Sequence, residues 1–190
     1  MANVLVALAE GFEEIEAISV IDVLRRADCN VIVAKVGFDN RIDDSSLVVE
    51  SQKGVQIVTD NLLSAVNYEN LDGIVFPGGW IGTQNLIASS RLRTILESLN
   101  KKRKIIAAIC AAPLMLFEHG ILKEQVFTCY PRIESMIDNK NYKSDMNVVQ
   151  DGNIITSKGP ATAMEFAFYL ADVFAGKQKA KEIQNEMLAS

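Results

Sequence analysis

Apolar runs without polar alternation recur along the chain, separated by stretches in which apolar positions return every three or four residues. Residues 3–9 (NVLVALA) and 30–36 (NVIVAKV) are short Val- and Leu-rich runs, the pattern of strands buried on both faces. Residues 73–79 (GIVFPGG) and 104–109 (KIIAAI) repeat it, the first running into a glycine turn. A further strand is expected at 126–130 (VFTCY). Residues 46–58 and 148–156 read as hairpins, turning at Lys53-Gly54 and Asp151-Gly152. Between the runs lie helical patterns. Residues 13–27 open with acids and close with arginines. Residues 91–102 form a second helix, with Ser90 as the expected cap. A short helix covers 111–118, a long apolar one covers 161–176 and stops at Gly176, and a charged amphipathic one fills 177–189. Buried strands alternating with helices predict an α/β fold with a mainly parallel sheet covered on both faces. Ligands in such sheets bind outside the carboxyl ends of the strands.

Length and composition narrow this further. At 190 residues, with no linker or repeat, the chain is expected to form a single domain over 1–190. Hydrophobic residues make up 49% and charged residues 23%, and the net charge is −5, which argues against a general nucleic-acid binder. The basic cluster at 101–104 (KKRK) falls where a helix ends, and cations there suit the helix dipole. The start, MANVLVALAEGFEE, has no positive n-region, and the longest uncharged apolar run, 105–117, is too short to cross a bilayer and contains Pro113. A cytoplasmic location is expected. Three cysteines without CxxC spacing read as free thiols, and a single histidine rules out a His-rich metal site. No cofactor is expected.

Three strand ends and one acid carry candidate chemistry. Cys110 closes the run 104–109 directly before a helix. A strand–nucleophile–helix turn tolerates only small neighbours, and the positions two residues either side are Ala108 and Ala112. The following helix terminus is expected to lower the thiol pKa. A buried cysteine that only fills space is the competing reading. The second end is FPGGW (76–80). If its strand lies beside that of Cys110, the N–H groups of Gly79 and Ala111 face one point and form an oxyanion hole; an ordinary turn is the alternative. The third is SKGPATAMEFA (157–167), where Gly159-Pro160 opens a helix and its loop borders the same space. The acid is Glu16. Val20, Val23 and Ala27 continue its helical face, so its carboxyl extends an apolar stripe near the end of the first strand. A first-turn acid at the helix edge is the plainer account. His119 stands nine residues after Cys110 on the same helix, about 13 Å away at 1.5 Å per residue, too far for a Cys–His dyad. Cys29 and Cys129 read as structural.

Taken together and in order, LAEGFEEIEA, VFPGGW, AAICAAP and TSKGPATAMEFA resemble the DJ-one/ThiJ/PfpI superfamily, and within it the small DJ-one/ThiJ branch. The resemblance runs from residue 3 to about residue 177. It implies a flavodoxin-like three-layer sandwich of the class I glutamine amidotransferase type, and a homodimer. The family's reactive cysteine falls on Cys110, its glutamate partner on Glu16, and its backbone oxyanion donors on Gly79 and Ala111. Gly78, Trp80, Tyr130, Gly159 and Pro160 are the expected substrate-facing positions. The activity implied is a cofactor-independent glyoxalase or protein deglycase, acting on methylglyoxal-type aldehydes or on early glycation adducts of proteins and nucleotides. The alternative is an oxidative-stress sensor or chaperone whose Cys110 is oxidised to sulfinate. Two departures matter. The protease-like branch has histidine after the cysteine; here it is Ala111, which argues against a peptidase. Many DJ-one proteins have histidine before a proline at the pocket; here Tyr130 precedes Pro131, and a phenol, ionising near pH 10, is a poor base at neutral pH.

Overall fold

A computed structural model describes residues 1–37 and 46–189. Seven strands form one sheet in the order β5-β2-β1-β6-β7-β9-β8. The strands β1 (Asn3–Leu8), β2 (Asn30–Lys35), β5 (Asn61–Leu62), β6 (Gly73–Phe76), β7 (Ile105–Ile109) and β9 (Ile154–Ser157) run parallel, and only β8 (Val148–Asp151) runs antiparallel, at the edge. The remaining strands, β3 (Val48–Glu50) and β4 (Gln56–Val58), make a separate two-stranded hairpin.

The helices fall into two groups. α1 (Glu14–Arg26) packs on α5 (Ala163–Ala175), which packs on α6 (Lys177–Glu186). α2 (Trp80–Ile87) packs on α4 (Pro113–Glu118), and both α4 and α3 (Ser90–Lys101) lie against β7. The result is the expected flavodoxin-like sandwich. Helices on both faces explain the unbroken apolar strands: Val4 to Leu8 and Ile106 to Ile109 have no exposed surface. β1, β6 and β7 are neighbours in register, Val6 opposite Val75 and Val75 opposite Ala107, so their carboxyl ends emerge side by side. No helix among the described residues is long and apolar enough to cross a membrane.

Four local expectations need correction. Residues 126–130 form no strand of the sheet. Phe127 makes an isolated bridge to Tyr142, and Thr128 N–H is taken by the Thr156 side chain at 2.9 Å, so side chains satisfy what a ladder would have satisfied. The strand within 73–79 ends at Phe76 and runs into the glycine turn as expected, but Gly78 and Gly79 then lead into α2, a helix the sequence pattern did not show. α3 begins one residue early: Ser89, not Ser90, is its cap, with Oγ accepting from Leu92 N–H at 3.3 Å. The short strand β5 was also missed. The basic cluster behaves as expected at a helix end, with Lys102 paired to Glu69 and Lys104 to Asp72.

Candidate active site

Cys110 directly follows β7 in a left-handed conformation, φ 65°, which a non-glycine residue adopts at a cost of roughly 1–3 kcal/mol. Three hydrogen bonds hold the turn. Cys110 N–H donates to Ser157 O (3.0 Å), Ala112 N–H to Ile109 O (3.1 Å) and Tyr130 N–H to Cys110 O (2.9 Å). Ala108 and Ala112 are fully buried, so the tight turn needs the small residues the sequence supplies. The sulfur is thereby aimed beyond the sheet edge, at the ends of β1 and β6.

Those two ends meet it. Gly78 and Gly79 follow β6, and neither has room for a side chain. A Cβ on Gly78 would lie 2.6 Å from Cys110 Cβ and 3.0 Å from both Ala111 N and Glu16 Oε2. Gly79 has φ 86°, and a Cβ there would meet Gly11 O at 2.3 Å. Without side chains, the N–H groups of Gly79 and Ala111 both reach the Cys110 sulfur. The two expected backbone donors are therefore brought to one point.

Glu16 lies in the first turn of α1 with no exposed surface, and Val20, Val23 and Ala27 continue its buried face as the periodicity implied. Gly78 N–H donates to its Oε2 at 2.7 Å, whereas Oε1 is buried with no hydrogen-bond partner among the described residues. Glu13, also buried, was missed as a site residue. Its Oε2 accepts from Glu16 N–H at 3.0 Å, and its own N–H donates to Gly78 O at 3.0 Å. An acid three residues before Glu16 at a helix start is a capping signature that could have singled it out.

Burial dominates the electrostatics. Desolvation raises the Glu16 pKa from 4.5 to about 8, with Glu13's charge adding to it; the Gly78 N–H and the neighbouring Cys110 thiol pull the other way. Cys110 is also pushed up, first by desolvation and then by the Glu16 charge, against the Gly79 and Ala111 N–H groups. This reverses the expected depression of the thiol. The helix that was to supply it, α4, starts only at Pro113 and has six residues, too little to outweigh burial and a carboxylate. The two groups are coupled. At neutral pH a carboxyl titrating near 8 holds its proton, and the charge opposing the thiolate is then absent.

The third strand end arrives as expected. A Cβ on Gly159 would lie 4.0 Å from Cys110 Sγ and 3.1 Å from the Tyr130 ring. Pro160 opens a single helical turn (Pro160–Thr162) ahead of α5. Trp80, directly after Gly79, is the first residue of α2 and is half exposed. His119 is elsewhere in role. It caps α4, with Nε2 on Leu86 O at 3.1 Å and Nδ1 accepting from Arg93 Nε at 3.3 Å. Cys29 and Cys129 are free and buried. Among the described residues, no three His, Cys, Asp or Glu side chains are grouped to hold a metal ion.

A parallel α/β sandwich with a cysteine on a strained strand-to-helix turn, two backbone donors on its sulfur and a buried glutamate opposite defines a class of proteins built around one strand-end thiol. Residues 2–172 match the DJ-1/PfpI family, and the chain belongs to it. It is 39% identical over 189 residues to protein dj-1beta of Drosophila melanogaster, covering 99% of this chain and 97% of that one. The crystal structure of Drosophila DJ-1beta superposes with a TM-score of 0.93, covering 100% of this chain and 98% of the other. The glutathione-independent glyoxalase DJR-1.2 of Caenorhabditis elegans is 36% identical over 175 residues, 92% of this chain and 89% of that protein.

Proposed function

We propose that the protein is a cofactor-independent glyoxalase and deglycase for methylglyoxal-type aldehydes and their early adducts. The observation that carries this reading is the buried Glu16 carboxyl, titrating near 8, set against a thiol whose sulfur has two backbone donors. Proton transfer is most effective when the donor's pKa lies near working pH. Kinship to a relative named a glutathione-independent glyoxalase supports the same class of reaction.

In this mechanism the Cys110–Glu16 pair reacts with one proton between them: the Glu16 carboxylate takes the thiol proton as the Cys110 sulfur adds to the aldehyde carbon, giving a hemithioacetal whose oxygen is held by the N–H groups of Gly79 and Ala111. Glu16 first gives its proton to that oxygen. As carboxylate it then removes the hydrogen from the former aldehyde carbon, forming an enediol, and returns a proton to the adjacent carbon. The product is a thioester of lactate. Water cleaves it, releasing lactate and restoring the thiol, so the sum is methylglyoxal plus water to lactate. Gly78, Trp80, Tyr130, Gly159 and Pro160 border the substrate. A homodimer completes the proposal, supported by exposed Ile15 and Ile18 on α1.

A second reading has its own support. The same donors and a protonated Glu16 suit a sulfinate on Cys110, formed by two successive peroxide oxidations that each release water.

The test is lactate formed from methylglyoxal by wild type, Cys110→Ser and Glu16→Gln. Many turnovers in wild type, lost in both variants, establish the enzyme and both roles. If wild type forms no more lactate than the variants, the glyoxalase reading fails, and peroxide titration of Cys110 followed by mass decides for the sensor.

A further inference from the structure

The Tyr130 ring lies beside the thiol, and the reaction steps above give it no part beyond bordering the substrate. Tyr130 is 50% exposed and Trp80 47%. Tyr130 is fixed at its backbone, where its N–H donates to Cys110 O at 2.9 Å. Its ring and the Cys110 sulfur converge on the same small space over Gly159, where a methyl group would lie 3.1 Å from the ring and 4.0 Å from Sγ. Gly159 thus keeps a side chain out of the space that the ring and the sulfur both border. Trp80 stands on the β6 side, next in sequence to Gly79, whose N–H reaches the sulfur. Aromatic surface held in water beside a reactive group gains by stacking a flat apolar partner. A methyl group offers little such surface.

We propose that the Tyr130 ring, with a lesser contribution from Trp80 at the start of α2, forms a flat aromatic wall that selects 2-oxoaldehydes bearing an aromatic substituent over methylglyoxal. The catalytic half of this rests on the proposed glyoxalase reaction; the binding half does not. The expected preference comes from ring contact, not from the phenol hydroxyl, because among the described residues the hydroxyl has no hydrogen-bond partner that positions the ring.

The experiment has two arms. The first measures kcat/KM for phenylglyoxal relative to methylglyoxal in wild type, Tyr130→Phe, Tyr130→Ala and Trp80→Ala. It is read as the change in that ratio between variants, since conjugation to the phenyl ring alters the aldehyde's own reactivity. The ratio should fall about fivefold in Tyr130→Ala, fall less in Trp80→Ala and hold in Tyr130→Phe. The second arm measures, by calorimetry, binding of the unreactive analogues 2-hydroxyacetophenone and hydroxyacetone to wild type and Tyr130→Phe. The aromatic analogue should bind about tenfold tighter to both. An unchanged ratio in Tyr130→Ala and Trp80→Ala, or equal binding of the two analogues, overturns the wall. If wild type turns over neither aldehyde, the glyoxalase reading fails and the calorimetric arm alone decides the wall.

Discussion

Gly78 N–H donates to Glu16 Oε2 at 2.7 Å, joining the end of β6 to the first turn of α1 across 62 positions of sequence. The bond holds a carboxyl whose pKa is about 8 in the fold against an ordinary 4.5. The folded protein therefore binds a proton that the unfolded chain releases between these values. Stability should fall as pH rises from about 4.5 to 8, by at most roughly 5 kcal/mol from this group. Glu16→Gln should flatten that slope, as urea denaturation at a series of pH values would show. A slope unchanged in the variant would mean that Glu16 ionises in the fold as it does in the unfolded chain.

Gly78 also has no room for a methyl group. A Cβ would sit 2.6 Å from Cys110 Cβ and 3.0 Å from the backbone nitrogen of Ala111. Gly78→Ala should cost about 1–3 kcal/mol in stability and at least tenfold in kcat/KM, because relief requires moving the thiol or its donor. Gly152→Ala is the contrast. It lies in the β8–β9 turn at φ 60° with open space around its Cβ, so it should cost about 1 kcal/mol and leave kcat/KM unchanged. Equal kinetic losses in the two variants would contradict the crowding argument.

The left-handed backbone of Cys110 stores strain that serves the placement of its sulfur. Cys110→Gly should be about 1 kcal/mol more stable than Cys110→Ala, since glycine adopts φ 65° without penalty. Both lack the thiol, so the comparison isolates the backbone. Thermal denaturation of the pair measures it, and a more stable alanine variant would show that the turn is unstrained.

The alternation of strands and helices and the candidacy of Glu16, Gly79 and Cys110 were legible from local signals: unbroken apolar runs, an apolar stripe at helical spacing, small residues flanking a strand end; the strand order was not, because it rests on pairings between distant segments. Residues 126–130 were misread for a physical reason. Val126 to Tyr130 has strand-like composition, but the N–H groups of Val126, Phe127, Thr128 and Tyr130 go to Asp151, Asn141, Thr156 and Cys110, partners that only the tertiary fold supplies. α2 was hidden because Trp-Ile-Gly-Thr-Gln begins without a side-chain cap and contains Gly82, which sits where a Cβ would lie 2.9 Å from Phe12. The direction of the Cys110 shift was misjudged because desolvation depends on what covers the sulfur, and sequence spacing carries no measure of that.

His119 tests whether the site ends where the geometry places it. Arg93 Nε donates to its Nδ1, so the ring's own proton is on Nε2 and is given to Leu86 O. Desolvation lowers its pKa, and the imidazole stays neutral in the fold. The unfolded chain takes up a proton below about pH 6.5 that the fold resists, so this group makes stability fall as pH falls, opposite in sign to Glu16. His119→Leu should remove that acid-side slope and cost about 1–3 kcal/mol, since it leaves Leu86 O and Arg93 Nε without their partner. Lactate formation per folded molecule should be unchanged, because the ring bridges α2, α3 and the end of α4 and touches nothing in the thiol site. A tenfold loss of kcat/KM in His119→Leu would instead show that the far end of α4 sets the position or protonation of Cys110.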